Sequence, residues 1–490
     1  MEKIILIIYF LSLCVLFGFG IHGLILVYFY NKTKKNIIKK PPLQKDLPIV
    51  TIQLPMYNEY FVVERIIGAA CGIKYPIDKL EIQVLDDSTD DSYDLAKKTV
   101  ERYKKQGYNI KHIHRVDRSG YKAGALKAGL EVAEGEFVAI FDADFVPDEN
   151  FLLDTIPYFQ DPKVGLVQTR WEHLNEDFSM LTKAQALALD AHFCIEQQVR
   201  CKAGFFFSFN GTAGIWRKAT IFDAGNWQAD TLTEDLDLSY RSQLKGWKFL
   251  YLNDITSPAE LPEDINSLKI QQFRWTKGAV ETAIKLIPKV VKAKLPFKVK
   301  LECYAHLTSN IVFPFILLTA LLNVPVVLIK NSIDGVDTFY NAMSIFVFAT
   351  IATFIFYLHG QRAIHLDWRR RLLMFPVFMA GSMGMAVNNT KAIFEAIIGK
   401  KTAFIRTPKT GDAQDSSLQR KKYKNHKISG IVIIEILLAL YFVAGIILSI
   451  YYSELAAIPF QLMFLLGFGA IGFLSLRHAI LTVKKQRVRI

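Results

Sequence analysis

Charge-free apolar runs and stretches of mixed charge alternate along this 490-residue chain and divide it into three parts. From Ile4 to Tyr30 there is no Asp, Glu, Lys or Arg, enough helix to cross a hydrocarbon layer of roughly 30 Å. A cleavable secretory signal would carry a shorter apolar core and a small-residue cleavage site, so this run reads as a retained anchor. Similar runs occupy Leu307–Ile329, Thr338–Gln361, Leu372–Thr390 and Leu455–Leu476, and Ile428–Ser453 is broken only by Glu435. Residues 1–31 are thus an N-terminal transmembrane anchor, 41–300 a water-soluble domain, and 301–490 a set of transmembrane or interface helices containing a polar loop at 399–427.

Within the soluble part the periodicity switches repeatedly. Strand-like "IVTIQLP" precedes a helical segment from Tyr60, then "LEIQVLDD", then a helix from Ser92 to Lys105. A third strand, "NIKHIHR", a helix through "KAGALKAGLEVA" and a fourth strand, "EFVAIFDADF", continue the alternation. Strands alternating with helices predict an α/β, doubly wound and mostly parallel sheet, whose ligands bind at the carboxyl ends of the strands.

Composition changes the picture in one respect. A hydrophobic content of 51% is too high for a wholly soluble protein, and the net charge of +13 concentrates beside the apolar runs. "NKTKKNIIKK", "RAIHLDWRRR", "RKKYKNHK" and "KKQRVRI" all flank them, a positive-inside pattern that predicts a cytoplasmic soluble domain and argues against a nucleic-acid partner. If Leu372–Thr390 spanned, one of the basic loops beside it would face outward. Five spanning helices plus one interfacial or re-entrant segment, with the N-terminus outside and the C-terminus in the cytoplasm, resolve the conflict. The five cysteines have no CxxC spacing, which points to neither a zinc site nor a disulfide framework.

Carboxylates collect at strand ends. Asp142 and Asp144, two apart after "FVAIF", would face one way and suit a hydrated divalent cation that also binds phosphate oxygens. Asp86 and Asp87 end the second strand, where they could serve a ligand or cap the following helix. Lys122 opens a glycine-rich helix start, where a cation and backbone donors meet anions. Glu234, Asp235 and Asp237 head another helix, which fits either a base for an acceptor hydroxyl or simple dipole and cap stabilisation with Thr233. The nominal dinucleotide fingerprint at Gly18–Gly23 lies inside the first apolar run with no strand before it, and reads as close helix packing. "QQFRW", Gln271 to Trp275, is either an interfacial anchor or a cation beside a sugar-stacking indole. Glu435, two turns into an apolar run, is a candidate for lining a polar channel.

The ordered series "QLPMYNE", "VLDDSTDDS", "GYKAGALKAG", "FDADF", "VQTRWEHLN", "FNGTAGIWR", "TEDLDLSYR", "KGWKFLYL" and "QQFRW" resembles the membrane-embedded family 2 glycosyltransferases. It is most similar to their cellulose-synthase-like A and C branch, the mannan and glucan synthases, with the cellulose synthase catalytic subunit a close relative. The resemblance implies a GT-A type domain that transfers a hexose from UDP-glucose or GDP-mannose, with inversion, to a growing β-linked glycan, and threads the product across the membrane. It implies that Gln53, Pro55 and Tyr57 wall the nucleotide pocket with Asp86 or Asp87, and that Lys122 steadies the diphosphate. Asp142 and Asp144 would hold Mg2+ or Mn2+, and Asp235, with Glu234 beside it, would be the catalytic base. Phe209, Asn210 and Gly211 would cradle the acceptor end, Gln271 and Arg274 would hold the pyrophosphate, and Trp275 would stack on the acceptor sugar. In "FIRTPKTG", Phe404, Thr407 and Lys409 match a loop that closes over the nucleotide in cellulose synthase, with Arg406 in place of its valine. The same residues could form a basic connector.

Two other functions compete. A single-addition enzyme acting on a membrane lipid would use the same cytosolic chemistry, and a transporter whose soluble domain only binds nucleotides would leave Asp235 without a catalytic task.

Overall fold

The computed structural model describes residues 1–333, 340–341, 343–402, 409, 411 and 430–487. Seven strands form one sheet: β1 (Val50–Met56), β2 (Leu80–Asp86), β3 (Asn109–His114), β4 (Phe137–Ile140), β5 (Val164–His173), β6 (Gly214–Arg217) and β7 (Lys248–Ala259), in the order β3–β2–β1–β4–β6–β5–β7. Every neighbouring pair is parallel except the two made by β6, which runs against both β4 and β5. The four strands read from the sequence are β1 to β4. The parallel half is buried on both faces, as Val50, Ile52, Leu54, Ile82, Val84, Val138 and Ile140 show, which is why its strands read as continuous apolar runs.

The first apolar run is helix α1 (Glu2–Thr33), and the crossover helices α2 (Val63–Cys71), α3 (Ser92–Lys105) and α4 (Tyr121–Glu131) cover this half of the sheet. The helix expected from Tyr60 begins at Val63. The N-cap position of α3 is Asp91, so Asp86 and Asp87 do not cap it. The close approach of α4 to the sheet uses Gly129, where a Cβ would stand 2.7 Å from Gln53 Nε2 and 2.7 Å from Leu85.

Among the described residues five helices are long and apolar enough to cross a membrane: Glu2–Thr33, Phe297–Lys330, Ser344–Ile364, Gly430–Tyr451 and Leu455–Arg477. The segment expected not to span is a broken one, Trp368–Gly384 followed by Ala386–Ile397 at an angle of 44°. Two of the fingerprint-like glycines pack helices: a Cβ on Gly20 would stand 3.1 Å from Ala349 Cα and one on Gly23 3.6 Å from Phe356 Cβ, while Gly18 has nothing within 4 Å.

A 28-residue helix, Ile265–Lys292, joins the two halves of the molecule. Its cap is well made, with Asp264 accepting from the backbone of Asn266 at 2.9 Å and of Ser267 at 3.0 Å. Lys269 on this helix donates to Glu435 at 2.7 and 2.8 Å, and Asn388 donates to the Lys269 carbonyl at 3.1 Å. Glu435 is fully buried. The carboxylate is the partner of a lysine and ties the bridging helix to the apolar bundle, a structural task in place of the channel lining expected from the sequence.

Candidate active site

A cleft opens along the carboxyl edge of β1, β2 and β4, and the elements around it bring together residues from positions 55 to 409. Pro55 and Tyr57 leave the end of β1, Asp87 the end of β2, and Asp142 and Asp144 the end of β4. Lys122 enters from the start of α4, Asn210 and Gly211 from the loop before β6, Glu234 and Asp235 from the head of helix Glu234–Leu244, and Gln271, Arg274 and Trp275 from the bridging helix.

Local backbone explains the convergence. Gly120 at the N-cap of α4 is left-handed, with φ +72°, which turns the chain so that Lys122 points into the cleft. Lys122 Nζ donates to Asp142 Oδ1 at 2.5 Å and to the Gly211 carbonyl at 2.9 Å. Gly211 has φ +80°, and a Cβ there would stand 3.1 Å from Asp235 Oδ2 and 3.4 Å from Lys122 Nζ. Cation, glycine and Asp235 therefore meet at one point. Lys409 donates to Asp144 Oδ2 from the other side.

The two acids at the helix head are held differently from the sequence expectation. Thr233 occupies the N-cap position but makes no side-chain cap, and its hydroxyl lies 3.1 Å from that of Thr282. Asp235 Oδ1 accepts from the Leu236 amide at 2.8 Å, leaving Oδ2 toward Gly211. Burial, and after it the Glu234 charge alongside, push the Asp235 carboxyl up to about 7 against the opposing pull of Lys122. Glu234 is raised too, again by burial. Asp237 does not face the cleft: it is fully buried and pairs with Arg241 at 2.7 Å and Lys285 at 2.8 Å. Burial lowers the Arg274 guanidinium from its usual range, against the pull of Glu234, Asp142, Asp235 and Asp144. The "QQFRW" arginine thus faces acids, not a membrane surface.

Three expected residues lie elsewhere. Gln53 sits mid-strand, below the carboxyl edge, fully buried with Nε2 donating to Gln83 Oε1 at 3.1 Å. Asp86 is 1% exposed, with Oδ2 2.8 Å from His112 Nε2 and Oδ1 accepting from the Ser88 amide at 2.8 Å, so of the acidic pair it is Asp87 that reaches the cleft. Burial raises the Asp86 carboxyl, but the hydrogen bonds with His112 and Ser88 outweigh it and hold the group below its usual range. Phe209 is a core residue, edge-on to Trp216 at 5.5 Å, while its amide donates to Ser239 Oγ at 2.8 Å and so places the following Asn210. Phe404 and Thr407 lie outside the described residues.

Other cleft residues had no role assigned from the sequence. Arg118 lies with its guanidinium carbon 3.3 Å from the Tyr57 ring centroid, a cation on an aromatic wall of the cleft. It stands four residues before Lys122, and that spacing in a loop after a strand was the available signal. Trp171 and His173 also line the cleft, from the far end of β5.

Two carboxylates two residues apart, each facing a lysine ammonium, form a place where positive charge is already demanded, and hard oxygen donors suit Mg2+ or Mn2+ completed by phosphate oxygens. Among the described residues no three His, Cys, Asp or Glu side chains gather into a closed cage. A site built on two carboxylates leaves positions for a ligand.

The family described as "Glycosyltransferase like family 2" matches residues 48–278. Over 428 residues the chain is 36% identical to glucomannan 4-beta-mannosyltransferase 9 of Arabidopsis thaliana, covering 81% of this chain and 76% of that protein. Over 482 residues it is 33% identical to glucomannan 4-beta-mannosyltransferase 7 of Arabidopsis thaliana, covering 92% and 83%. The solved mannosyltransferase PcManGT from Pyrobaculum calidifontis, in complex with GDP-Man and Mn2+, superposes with a TM-score of 0.54 at 20% identity, over 81% of this chain and all of that one, and has the same GT-A type fold.

Proposed function

Since this chain belongs to the family 2 glycosyltransferases, in the cellulose-synthase-like A branch of the glucomannan 4-beta-mannosyltransferases, we propose that it transfers mannose from GDP-mannose to a growing β-1,4-linked glycan. The observation that carries this reading is the meeting of Asp235, Lys122 and Gly211 at the floor of a cleft whose rim holds Asp142, Asp144, Arg274 and Trp275. The named relatives are mannosyltransferases, which favours a mannosyl donor over UDP-glucose.

The chemistry follows from where charge moves. As the glycosidic bond breaks, the departing diphosphate gains negative charge, and Lys122 and Arg274 are placed to meet it. Mg2+ or Mn2+ held by Asp142 and Asp144 would neutralise diphosphate oxygens when bound. On the opposite face Asp235 Oδ2 takes the proton of the acceptor hydroxyl, whose oxygen attacks the anomeric carbon in line and inverts it. A carboxylate raised by burial holds that proton better than an exposed one, which suits a base near neutral pH. Trp275 offers an indole face to the acceptor sugar, and Asp87, Tyr57 and Arg118 form the nucleotide end.

Five candidate spans, with Lys and Arg on the flanks that share a side with this domain, support a cytoplasmic active site and export of the product through the bundle. Purified full-length protein in lipid nanodiscs, incubated with a panel of labelled nucleotide sugars and then analysed for linkage and product length, tests the proposal. A long β-1,4-mannan made from GDP-mannose is expected. Transfer only from UDP-glucose would reject the donor, and a single sugar on a lipid would reject the polymer.

A further inference from the structure

Between the cleft and the first membrane helix lies a polar network that the reaction above does not use. Residues His192–Gln197 form a π-turn, a rare element that widens the helix by one residue and recurs at functional sites. Its bonds run from i to i+5, so Gln197 stands on the same side as His192, where an α-helix would turn it away. Both side chains reach Asn210, a cleft residue. Gln197 Nε2 donates to Asn210 Oδ1 at 2.5 Å and to the Ser208 carbonyl at 2.9 Å, and Asn210 Nδ2 lies 3.3 Å from His192 Nε2.

The donor and acceptor roles can be worked out from these partners. The Ser208 carbonyl only accepts, so the Gln197 atom between it and Asn210 is the amide nitrogen, and the Asn210 atom facing it is Oδ1. Asn210 Nδ2 therefore points at His192 Nε2, which must be the unprotonated nitrogen. His192 Nδ1, 2.9 Å from Glu196 Oε2, carries the hydrogen and donates it to the carboxylate. Glu196 is fixed in turn by Arg200 at 3.1 Å, whose Nε donates to Glu302 at 3.0 Å, and Glu302 meets His22 of α1 at 2.9 Å. Arg200 is 2% exposed, so the far end of this chain is rigidly buried.

With one hydrogen given to His192 and one lone pair filled by Gln197, the Asn210 amide keeps one N–H and one lone pair for the cleft. That pair matches a sugar hydroxyl, which accepts and donates at once. We propose that His192 and Gln197 are positioning residues for the acceptor glycan: they lock the rotamer and orientation of Asn210 so that its amide binds a hydroxyl of the terminal mannosyl unit. The inference rests on the mannosyl-transfer reading and concerns the acceptor alone.

The test is a set of full-length variants in nanodiscs, His192→Ala, His192→Gln and Gln197→Ala, assayed with GDP-mannose and mannohexaose, together with GDP binding by calorimetry. Losing one well-placed hydrogen bond to the amide is expected to raise the acceptor KM about tenfold in His192→Ala and Gln197→Ala. The donor KM and GDP affinity stay at the wild-type values, and His192→Gln, which can still accept from Asn210, recovers most of the loss. An acceptor KM unmoved in both alanine variants overturns the inference while leaving the transfer reading intact. So does a parallel loss of donor affinity, which marks a merely structural network. A wild-type protein that transfers from no mannosyl donor overturns the reading and the inference with it.

Discussion

Gly278 of the bridging helix lies directly on Thr233, so close that a Cβ built there would stand 2.6 Å from Thr233 Cγ2 and 2.8 Å from the Thr233 backbone nitrogen. Contact this tight couples the "QQFRW" helix to the loop that carries Glu234 and Asp235. The adjoining bonds run the same way: the Leu232 amide donates to Glu281 at 2.9 Å, and Thr233 meets Thr282 at 3.1 Å. Gly278→Ala must push the backbone of one element off the other. Because small displacements of a catalytic group cost heavily, kcat is expected to fall by about a hundredfold. On the proposed reading the nucleoside end rests on Tyr57, Asp87 and Arg118, away from the bridging helix, so GDP affinity should fall far less than kcat even though Arg274 shares that helix. Steady-state kinetics with GDP binding as the control check this, and a fully active Gly278→Ala would show that the two elements move independently.

Asp235 makes the pH dependence specific. Its carboxyl is pushed up to about 7 by burial and by Glu234, and only the deprotonated form can accept a proton. The sign is therefore fixed: kcat/KM is full well above that value and declines as pH drops through it, approaching roughly tenfold per pH unit on the acid side. Asp235→Asn should abolish transfer while keeping donor binding, since the amide is isosteric but not basic. Glu234→Gln removes the neighbouring charge, so the midpoint should move to lower pH. Rate profiles of the free enzyme across this range measure both effects, and an upward shift for Glu234→Gln would contradict the assigned coupling.

At Gly211 two constraints coincide. Its φ of +80° is a conformation that side chains rarely adopt, and a Cβ would stand 3.1 Å from Asp235 Oδ2. Gly211→Ala is expected to cost about 1–2 kcal/mol of stability from the backbone alone. Activity should fall further, because Asp235, the proposed base, is displaced and the carbonyl that accepts from Lys122 turns with it. Thermal unfolding in detergent separates the two losses. Gly204→Ala, at φ +72° with nothing within 4 Å of its Cβ, is the control that carries the backbone strain without touching the site.

How much of this was legible in the sequence depended on the range of each signal. The strands β1 to β4 and the helix Ser92–Lys105 were readable because buried parallel strands are uniformly apolar and their ends carry "DDS" and "DAD". β6 was not, since four residues between a bend and a helix carry no period, and its antiparallel insertion depends on pairing with residues far away in the chain. Asp142, Asp144, Lys122 and Asp235 meet at one cleft, as their places at strand and helix ends suggested. Gln53 and Phe209 sat inside motifs but not at the surface of the site, because a motif specifies neighbours and cannot say which side of a strand a residue faces. The π-turn at His192 was invisible for a related reason: its one extra residue shifts a helical pattern by only a single position.

Lys269 and Glu435 show what an isolated charge in an apolar run was doing. Sequence alone marked Glu435 as a channel candidate, but its carboxylate is fully buried against Lys269, 166 positions away. Removing one member leaves the other charge buried and uncompensated, a loss of about 3–5 kcal/mol, while replacing both with apolar side chains of similar volume can be neutral. Lys269→Met and Glu435→Leu should therefore each lower the unfolding temperature markedly, and the double variant should recover most of it. Catalysis supplies a second readout, because Lys269 lies two residues from Gln271 on the bridging helix. If the pair serves only to fix that helix, the double variant regains wild-type kcat as well as stability. If stability returns and kcat does not, the ion pair also sets where Arg274 and Trp275 stand in the cleft, and the charge itself is part of how the membrane bundle holds the active site.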